Sequence, residues 1–232
     1  MDKHVESQTF GLVAGLGVGA GIFYYKAIVE AHLARGLSAR LVMVHADVRF
    51  VLALAAARET HQLAGYLSGL LHQLSRGGAT IASIPAFAPQ VCAMELSALT
   101  PLPLINLLDI IALEIERLKL RRVALFGARV TMETRMFGRL QGVDVVMPTP
   151  EELNIIASIY VKIVEAACAS DTDYQQLRSL AHTLIEREHL DAIVLAGTDL
   201  AFVFNPDNTD FAHVDGARVH VEAIMREILP ST

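Results

Sequence analysis

The hydrophobic pattern alternates short apolar runs with longer stretches of helical spacing. Residues 9–14 read as a buried strand, followed by a glycine turn, Gly15-Leu16-Gly17-Val18-Gly19-Ala20-Gly21. A helix is expected over 22–34, with Phe23, Ala27, Ile28 and Ala31 at helical spacing and Gly36 as its stop. Then come a strand at 41–44, a mostly helical stretch at 51–75 ending in Gly77-Gly78, and a strand at 80–84 closed by Pro85. A short helix over 90–99, a turn and strand at 101–105 and a helix over 108–118 complete the first part.

The pattern then restarts. Strands are expected at 123–126 and 145–147. Thr149, Pro150 and Glu152 form a capping box that opens a helix running to about 169. Thr172 and Gln175 suggest a second box, opening a helix to about 188. A buried strand at 192–196, a short strand around Val214 and a closing helix over 217–229 follow. Strands alternating with helices predict an α/β fold with a mainly parallel sheet flanked by helices. The glycines after the first strand of each half, Gly15 and Gly127, are 112 residues apart, and the turns at Ala86 and Gly197 are 111 apart. That near-constant offset predicts two pseudo-symmetric lobes whose strand-end turns face each other across a cleft, where open α/β sheets bind ligands.

Composition narrows the function classes. The chain is 53% hydrophobic and 19% charged, which suits a packed core rather than disorder. Net charge is −6 without a basic cluster, so no nucleic-acid partner is expected. The run 10–23 is apolar enough for a signal peptide. Asp2 and Glu6 precede it and no small-x-small cleavage site follows, so it reads as strand and helix. Asp109 and Asp199 interrupt the two best candidates for a membrane span, so none is expected. Cys92 and Cys168 are far apart, with neither disulfide nor zinc spacing, which fits a reducing cytoplasm and no metal. Both read as small buried hydrophobes, Cys168 in mid-helix.

Gly15-Leu16-Gly17-Val18-Gly19-Ala20 satisfies a loose dinucleotide fingerprint, and Asp47 follows the second strand. A tight turn that lets a helix N-terminus approach any anion explains the same glycines. Asp47 also lies well beyond the roughly 20-residue spacing of a ribose partner.

Five segments, in order, resemble the aspartate/glutamate racemase superfamily. They are Gly11–Gly17 with Phe23-Tyr24-Tyr25, Gly127-Ala128-Arg129-Val130-Thr131-Met132 with Phe137 on a following helix, Val146–Glu152, Leu195-Ala196-Gly197-Thr198-Asp199-Leu200, and Asp215–His220. The resemblance implies an N-terminal lobe of 1–100 plus 207–232, a second lobe of 101–206, a small carboxylate ligand between them, no cofactor and a homodimer. Family racemases use one cysteine on each lobe, one thiolate taking the α-proton and the other thiol returning a proton on the opposite face. Here Ala86 and Gly197 stand at the cysteine positions, and neither can move a proton. Phe87 and Ala88 replace the polar residues that follow the first cysteine.

The remaining candidates for acid/base work are His220 and Asp199, with Asp215 or Asp199 orienting the histidine. Gly15, Gly17, Arg49, Phe87, Thr131 and Thr198 are the candidates for holding a ligand. Each also has an ordinary reading: His220 as a structural hydrogen-bonding residue, Asp199 as a helix cap, Arg49 as a solvated charge. Two functions stand ahead of nucleotide binding. One is a repurposed isomerase or lyase-type enzyme with another acid/base. The other is a non-catalytic binding protein that keeps the pocket.

Overall fold

A computed structural model describes residues 8–229. The chain runs β1 (Phe10–Ala14), α1 (Val18–Leu33), β2 (Leu41–His45), α2 (Val48–Ala57), α3 (Thr60–Arg76), β3 (Ile81–Ser83), a 3₁₀ turn (Ala88–Cys92) and α4 (Ala93–Ser97). It continues with α5 (Leu107–Arg117), β4 (Arg122–Gly127), α6 (Arg129–Glu133), β5 (Asp144–Val146), α7 (Pro150–Ala166), α8 (Asp171–Glu188) and β6 (Ala192–Ala196). A further 3₁₀ turn (Thr198–Phe202), β7 (His213–Asp215) and α9 (Gly216–Ile228) close it.

The strands form two parallel sheets, ordered β2-β1-β3 and β5-β4-β6-β7. The expected two-lobe α/β architecture is therefore present, and the two orders match strand for strand. Even the extra strand has a counterpart. Leu104 bridges Ala82 beside β3, where β7 stands beside β6 in the other sheet. The strand expected at 101–105 shrinks to that single bridge because Pro101 and Pro103 have no N–H for a ladder.

Four other expectations are corrected. The helix expected over 51–75 is two helices, because Arg58 adopts the left-handed conformation at φ 56° and ends α2. The second capping box does not form. Ser170 is the cap, its hydroxyl accepting from the Asp173 N–H at 3.1 Å, so α8 starts at Asp171. Phe137 lies not on a regular helix but in a short 3₁₀ turn, Met136–Gly138, since α6 stops at Glu133 and Arg135, Met136 and Phe137 all have φ of 50–56°. Cys168 lies beyond the end of α7 and is exposed. The capping box at Thr149 forms as expected, with Thr149 and Glu152 bonding each other's backbone N–H.

Each lobe has its own core, and a third cluster joins them. Phe10 and Leu12 of β1, Tyr24 and Ile28 of α1, and Ala217, Val221 and Ile224 of α9 pack together. The C-terminal segment is thus shared between lobes: β7 extends the second sheet, while α9 packs on α1 and α5. Of the segment expected in the first lobe, β7 instead pairs with β6 of the second sheet, while α9 packs on both α1 and α5. Among the described residues no helix is long and apolar enough to cross a membrane.

Candidate functional site

The carboxyl ends of β1, β3, β4 and β6 carry the glycine turn, Pro85-Ala86-Phe87, Gly127-Ala128 and Gly197-Thr198-Asp199. Two hydrogen bonds join the lobes here. The Ala20 N–H, in the first turn of α1, donates to Asp199 Oδ1 at 3.0 Å. The Thr198 hydroxyl donates to the Pro85 carbonyl at 3.0 Å. Gly17 makes the first contact possible. It has φ 131°, and a Cβ there would lie 2.2 Å from Asp199 Oδ2. A carboxylate of the chain itself therefore sits at the positive end of α1, where an external anion would dock.

The turns at Ala86 and Gly197 are both sealed. A Cβ on Gly197 would lie 2.3 Å from Tyr160 Cε2 and 2.9 Å from Tyr160 Oη. The phenol of α7 thus fills the volume that any side chain at Gly197 would need. Ala86 is 5% exposed and Phe87 2%. The Phe87 ring crosses to the second lobe, where a Cβ on Gly216 would come within 2.7 Å of its Cζ. Gln90 fixes the Ala86 turn from behind, its amide donating to the carbonyls of Ala86 at 3.1 Å and Ile84 at 3.3 Å.

The polar groups left in this dry region are few. Asp199 is fully buried, and burial pushes its carboxyl up to about 6, against the opposing pull of the Ala20 and Asp199 amides. Its Oδ2 has no hydrogen-bond partner among the described residues, and neither has the buried Thr131 Oγ1. Thr131 stands on α6, whose first turn packs on the first-lobe core through Ala128 and Val130. Burial, and then the Asp199 charge, raise the Tyr160 hydroxyl well above its ordinary value, so it is a protonated donor at neutral pH.

His220 is held in a separate network. Its Nδ1 is 2.9 Å from the Tyr24 hydroxyl, and its Nε2 is 3.1 Å from both the Ser83 hydroxyl and the Ile105 carbonyl. A carbonyl only accepts, so Nε2 carries the proton and Nδ1 accepts from Tyr24. Burial lowers the imidazole to about 4. His220 is neutral, with both nitrogens engaged, and Tyr24 and Ile105 orient it rather than Asp215 or Asp199. Asp215 instead caps α9, accepting from Ala217 N–H at 3.0 Å and Arg218 N–H at 3.1 Å. Its other oxygen lies 2.9 Å from Arg218 Nε, an ion pair out of hydrogen-bond alignment.

The structure brings Gly17 against Asp199, with Thr198 beside it in the same turn, while Phe87 and Thr131 are buried. Gly15 supports that turn, its φ of 84° and the nearness of the Ala46 carbonyl excluding a side chain. Arg49 is exposed in the first turn of α2. Asp47 caps that helix, accepting from Arg49 and Phe50 N–H, so the ribose partner of the nucleotide reading is otherwise engaged. Cys92 is buried against the Pro89 carbonyl, with its thiol pushed up to about 12 by burial. Tyr160 escaped the sequence reading because, among Ile156, Ile159 and Ile163, it has the spacing of ordinary core. Among the described residues no group of three or more His, Cys, Asp or Glu is placed to hold a metal ion.

The sequence matches the family model described as Asp/Glu/hydantoin racemase over residues 13–224. No curated protein matches it. Solved structures with the same fold include a Yersinia pestis protein given as a candidate Asp/Glu racemase, at TM-score 0.81 and 23% identity, covering 96% of this chain and 100% of that one. An aspartate racemase homologue from Pyrococcus horikoshii OT3 follows at TM-score 0.77 and 19% identity, covering 95% and 99%. Unliganded arylmalonate decarboxylase aligns at TM-score 0.53 and 14% identity, covering 97% and 94%. At these identities the likeness is one of fold.

Proposed function

The chain belongs to the Asp/Glu/hydantoin racemase family, and from that premise we propose that it binds a small carboxylate between its lobes and moves a proton there with Asp199 in place of the paired thiols. One observation carries the reading. Asp199 is a buried carboxyl with one oxygen fixed by the Ala20 amide, the other without a partner, and an affinity for protons raised to about 6. A general base works best with a pKa near the operating pH. In this reading the described form is a closed one, held by the two bonds between the lobes. A ligand enters as the lobes part, exchanging the Ala20–Asp199 and Thr198–Pro85 bonds for bonds to itself. Thr131 and Thr198 then offer hydroxyls to its carboxylate. Phe87 supplies an apolar wall, which suits a substrate less polar than aspartate. Tyr160 offers a proton on the side of the second lost thiol. His220 positions Tyr24 beneath the α1 turn and takes no proton itself.

Such a one-carboxyl site suits an isomerase or lyase-type step. A likeness to a decarboxylase of the same fold is consistent with that, since loss of carbon dioxide leaves a carbanion that needs only one proton donor. The second reading is a non-catalytic binding protein, favoured by the filling of the Gly197 site by Tyr160.

Incubation in D₂O with a panel of amino acids and other small carboxylic acids, followed by NMR, separates them. The enzyme reading expects α-deuterium incorporation or loss of carbon dioxide with at least one compound, abolished in Asp199→Asn. Turnover that survives Asp199→Asn refutes the assignment of the base. Thermal stabilisation by a compound left unchanged by the protein selects the binding protein.

A further inference from the structure

A second cavity lies behind the Ala86 turn and has none of Gly17, Ala86, Gly197 or Asp199 in its lining. Its volume is about 350 Å³, within the range of small-ligand pockets. The first lobe supplies one wall through α4 and Gln90 of the 3₁₀ turn before it. The second lobe supplies another through Arg139 and through Asp109 in the first turn of α5. The connecting segment 100–106 lies between these walls. Ile84, Leu96, Leu102 and Ile105 give the cavity a buried apolar side.

The neutral polar groups of the lining are spent on the chain itself. The Gln90 amide donates to the Ile84 and Ala86 carbonyls, and its oxygen accepts from the Asn106 amide at 3.4 Å. The Asn106 oxygen caps α5, accepting from the Leu108 and Asp109 N–H groups. The Ser97 hydroxyl donates to the Met94 carbonyl at 2.7 Å, and the Thr100 hydroxyl to the Leu102 carbonyl at 2.8 Å. The exception is a pair of opposite charges. Arg139 Nη1 lies 3.0 Å from Asp109 Oδ1, with both side chains half-exposed. An ion pair of this kind exchanges partners at little cost.

We propose that this cavity binds a free apolar α-amino acid. The ligand's carboxylate takes the Arg139 guanidinium, its ammonium takes Asp109, and its side chain lies on Ile84, Leu96 and Leu102. A zwitterion carries its two charges on the same α-carbon, which matches a cation and an anion already in contact. The guanidinium offers a fork of donors to the two carboxylate oxygens. A ligand of one charge would leave half of the pair without a partner. A polar side chain would lose its water and meet neutral groups that are already engaged. The ligand also touches both lobes and Gln90, which fixes the Ala86 turn, so it favours the described arrangement of the lobes. It thereby holds the cleft shut. That consequence, unlike the site, rests on the reading that the lobes part to admit a carboxylate.

Calorimetry on the full chain, with leucine as the probe, reads the site. Arg139→Gln and Asp109→Asn are each expected to weaken binding about tenfold or more, as the loss of a charge-assisted contact implies. Asp199→Asn is expected to leave it unchanged. Isocaproate lacks the ammonium, isoamylamine the carboxylate and glycine the side chain, and each is expected to bind more weakly than leucine by a similar factor. Amide exchange followed by NMR locates the ligand on the wild type, whatever the variants do to folding. Leucine is expected to slow exchange over 93–106 and at Ala20, whose N–H holds Asp199. No binding of leucine, valine or phenylalanine at millimolar concentration overturns the proposal. So does isocaproate binding as tightly as leucine. Binding lost in Asp199→Asn but kept in Arg139→Gln, or faster exchange at Ala20, puts the amino acid in the cleft and overturns it too. Protection of 93–106 with unchanged exchange at Ala20 supports the site and overturns its hold on the cleft.

Discussion

The phenol of Tyr160 occupies the space that any side chain at Gly197 would need, with a built Cβ falling 2.3 Å from Cε2 and 2.9 Å from the hydroxyl. The two positions have to change together. Gly197→Cys alone is expected to overpack the cleft and lower stability by about 1–3 kcal/mol. Adding Tyr160→Ala should make room for the thiol, so the double variant loses less than the sum of the single changes. A thermal-melting double-mutant cycle measures the coupling. Additive losses would mean that the phenol moves aside freely.

Gly17 and Asp199 form a second such pair. Gly17→Ala faces both a φ of 131° and a carboxylate 2.2 Å from the new methyl. It is expected to cost about 2 kcal/mol or more. Asp199→Ala should recover the part due to the clash but leave the backbone strain. Urea unfolding of the four variants reads both parts.

Stability should respond to pH through two opposed groups. Between its ordinary value of 3.8 and about 6, folded Asp199 keeps a proton that the unfolded chain has lost. Rising pH therefore destabilises through this group by about 3 kcal/mol. Folded His220 stays neutral down to about 4, while the unfolded chain takes up a proton below 6.5. Rising pH therefore stabilises through this group, by about 3 kcal/mol over the same range. The wild type should show little net dependence between pH 4 and 6 from this pair. Asp199→Asn should become more stable as pH rises through that window, and His220→Gln less stable. Denaturant midpoints at a series of pH values check the slopes, and slopes of the same sign in both variants would refute the assignment.

Tyr24→Phe removes the donor to His220 Nδ1 and leaves a buried acceptor unpaired. The expected loss is about 1–3 kcal/mol. If His220 only positions Tyr24, both Tyr24→Phe and His220→Gln should weaken ligand binding through the α1 turn without shifting the pH profile of any turnover. A shifted profile would show that the imidazole itself carries a proton in the reaction.

Much of this architecture was readable from periodicity, because its strands are short buried runs and its helices carry explicit signals. Thr149 and Glu152 announce α7, and the spacing of Gly15, Ala86, Gly127 and Gly197 announces the repeat. The rest depended on tertiary contact. Arg58 breaks a stretch with unbroken helical periodicity, and nothing local in an arginine marks a left-handed turn. Ser170 outcompeted Thr172 as a cap for want of any reason visible in either residue. At the site, the strand-end turn at Gly197 and the acidic Asp199 beside it were legible. What filled the space was not, since Tyr160 comes from a helix 37 residues before Gly197 and looks like core. The role of His220 likewise turns on Ile105, whose carbonyl fixes the tautomer from 115 residues away.

The central claim is that Asp199 is poised as an acid/base in a dry cleft, and the most direct measurement is its own titration. Carbon-13 NMR of aspartate carboxyl groups, with the Asp199 signal identified by its absence in Asp199→Asn, gives the midpoint without knowledge of any substrate. A midpoint near 6 is the predicted result. A midpoint at or below the ordinary aspartate value of 3.8 would contradict the claim, leaving a permanently ionised helix cap in place of a proton carrier.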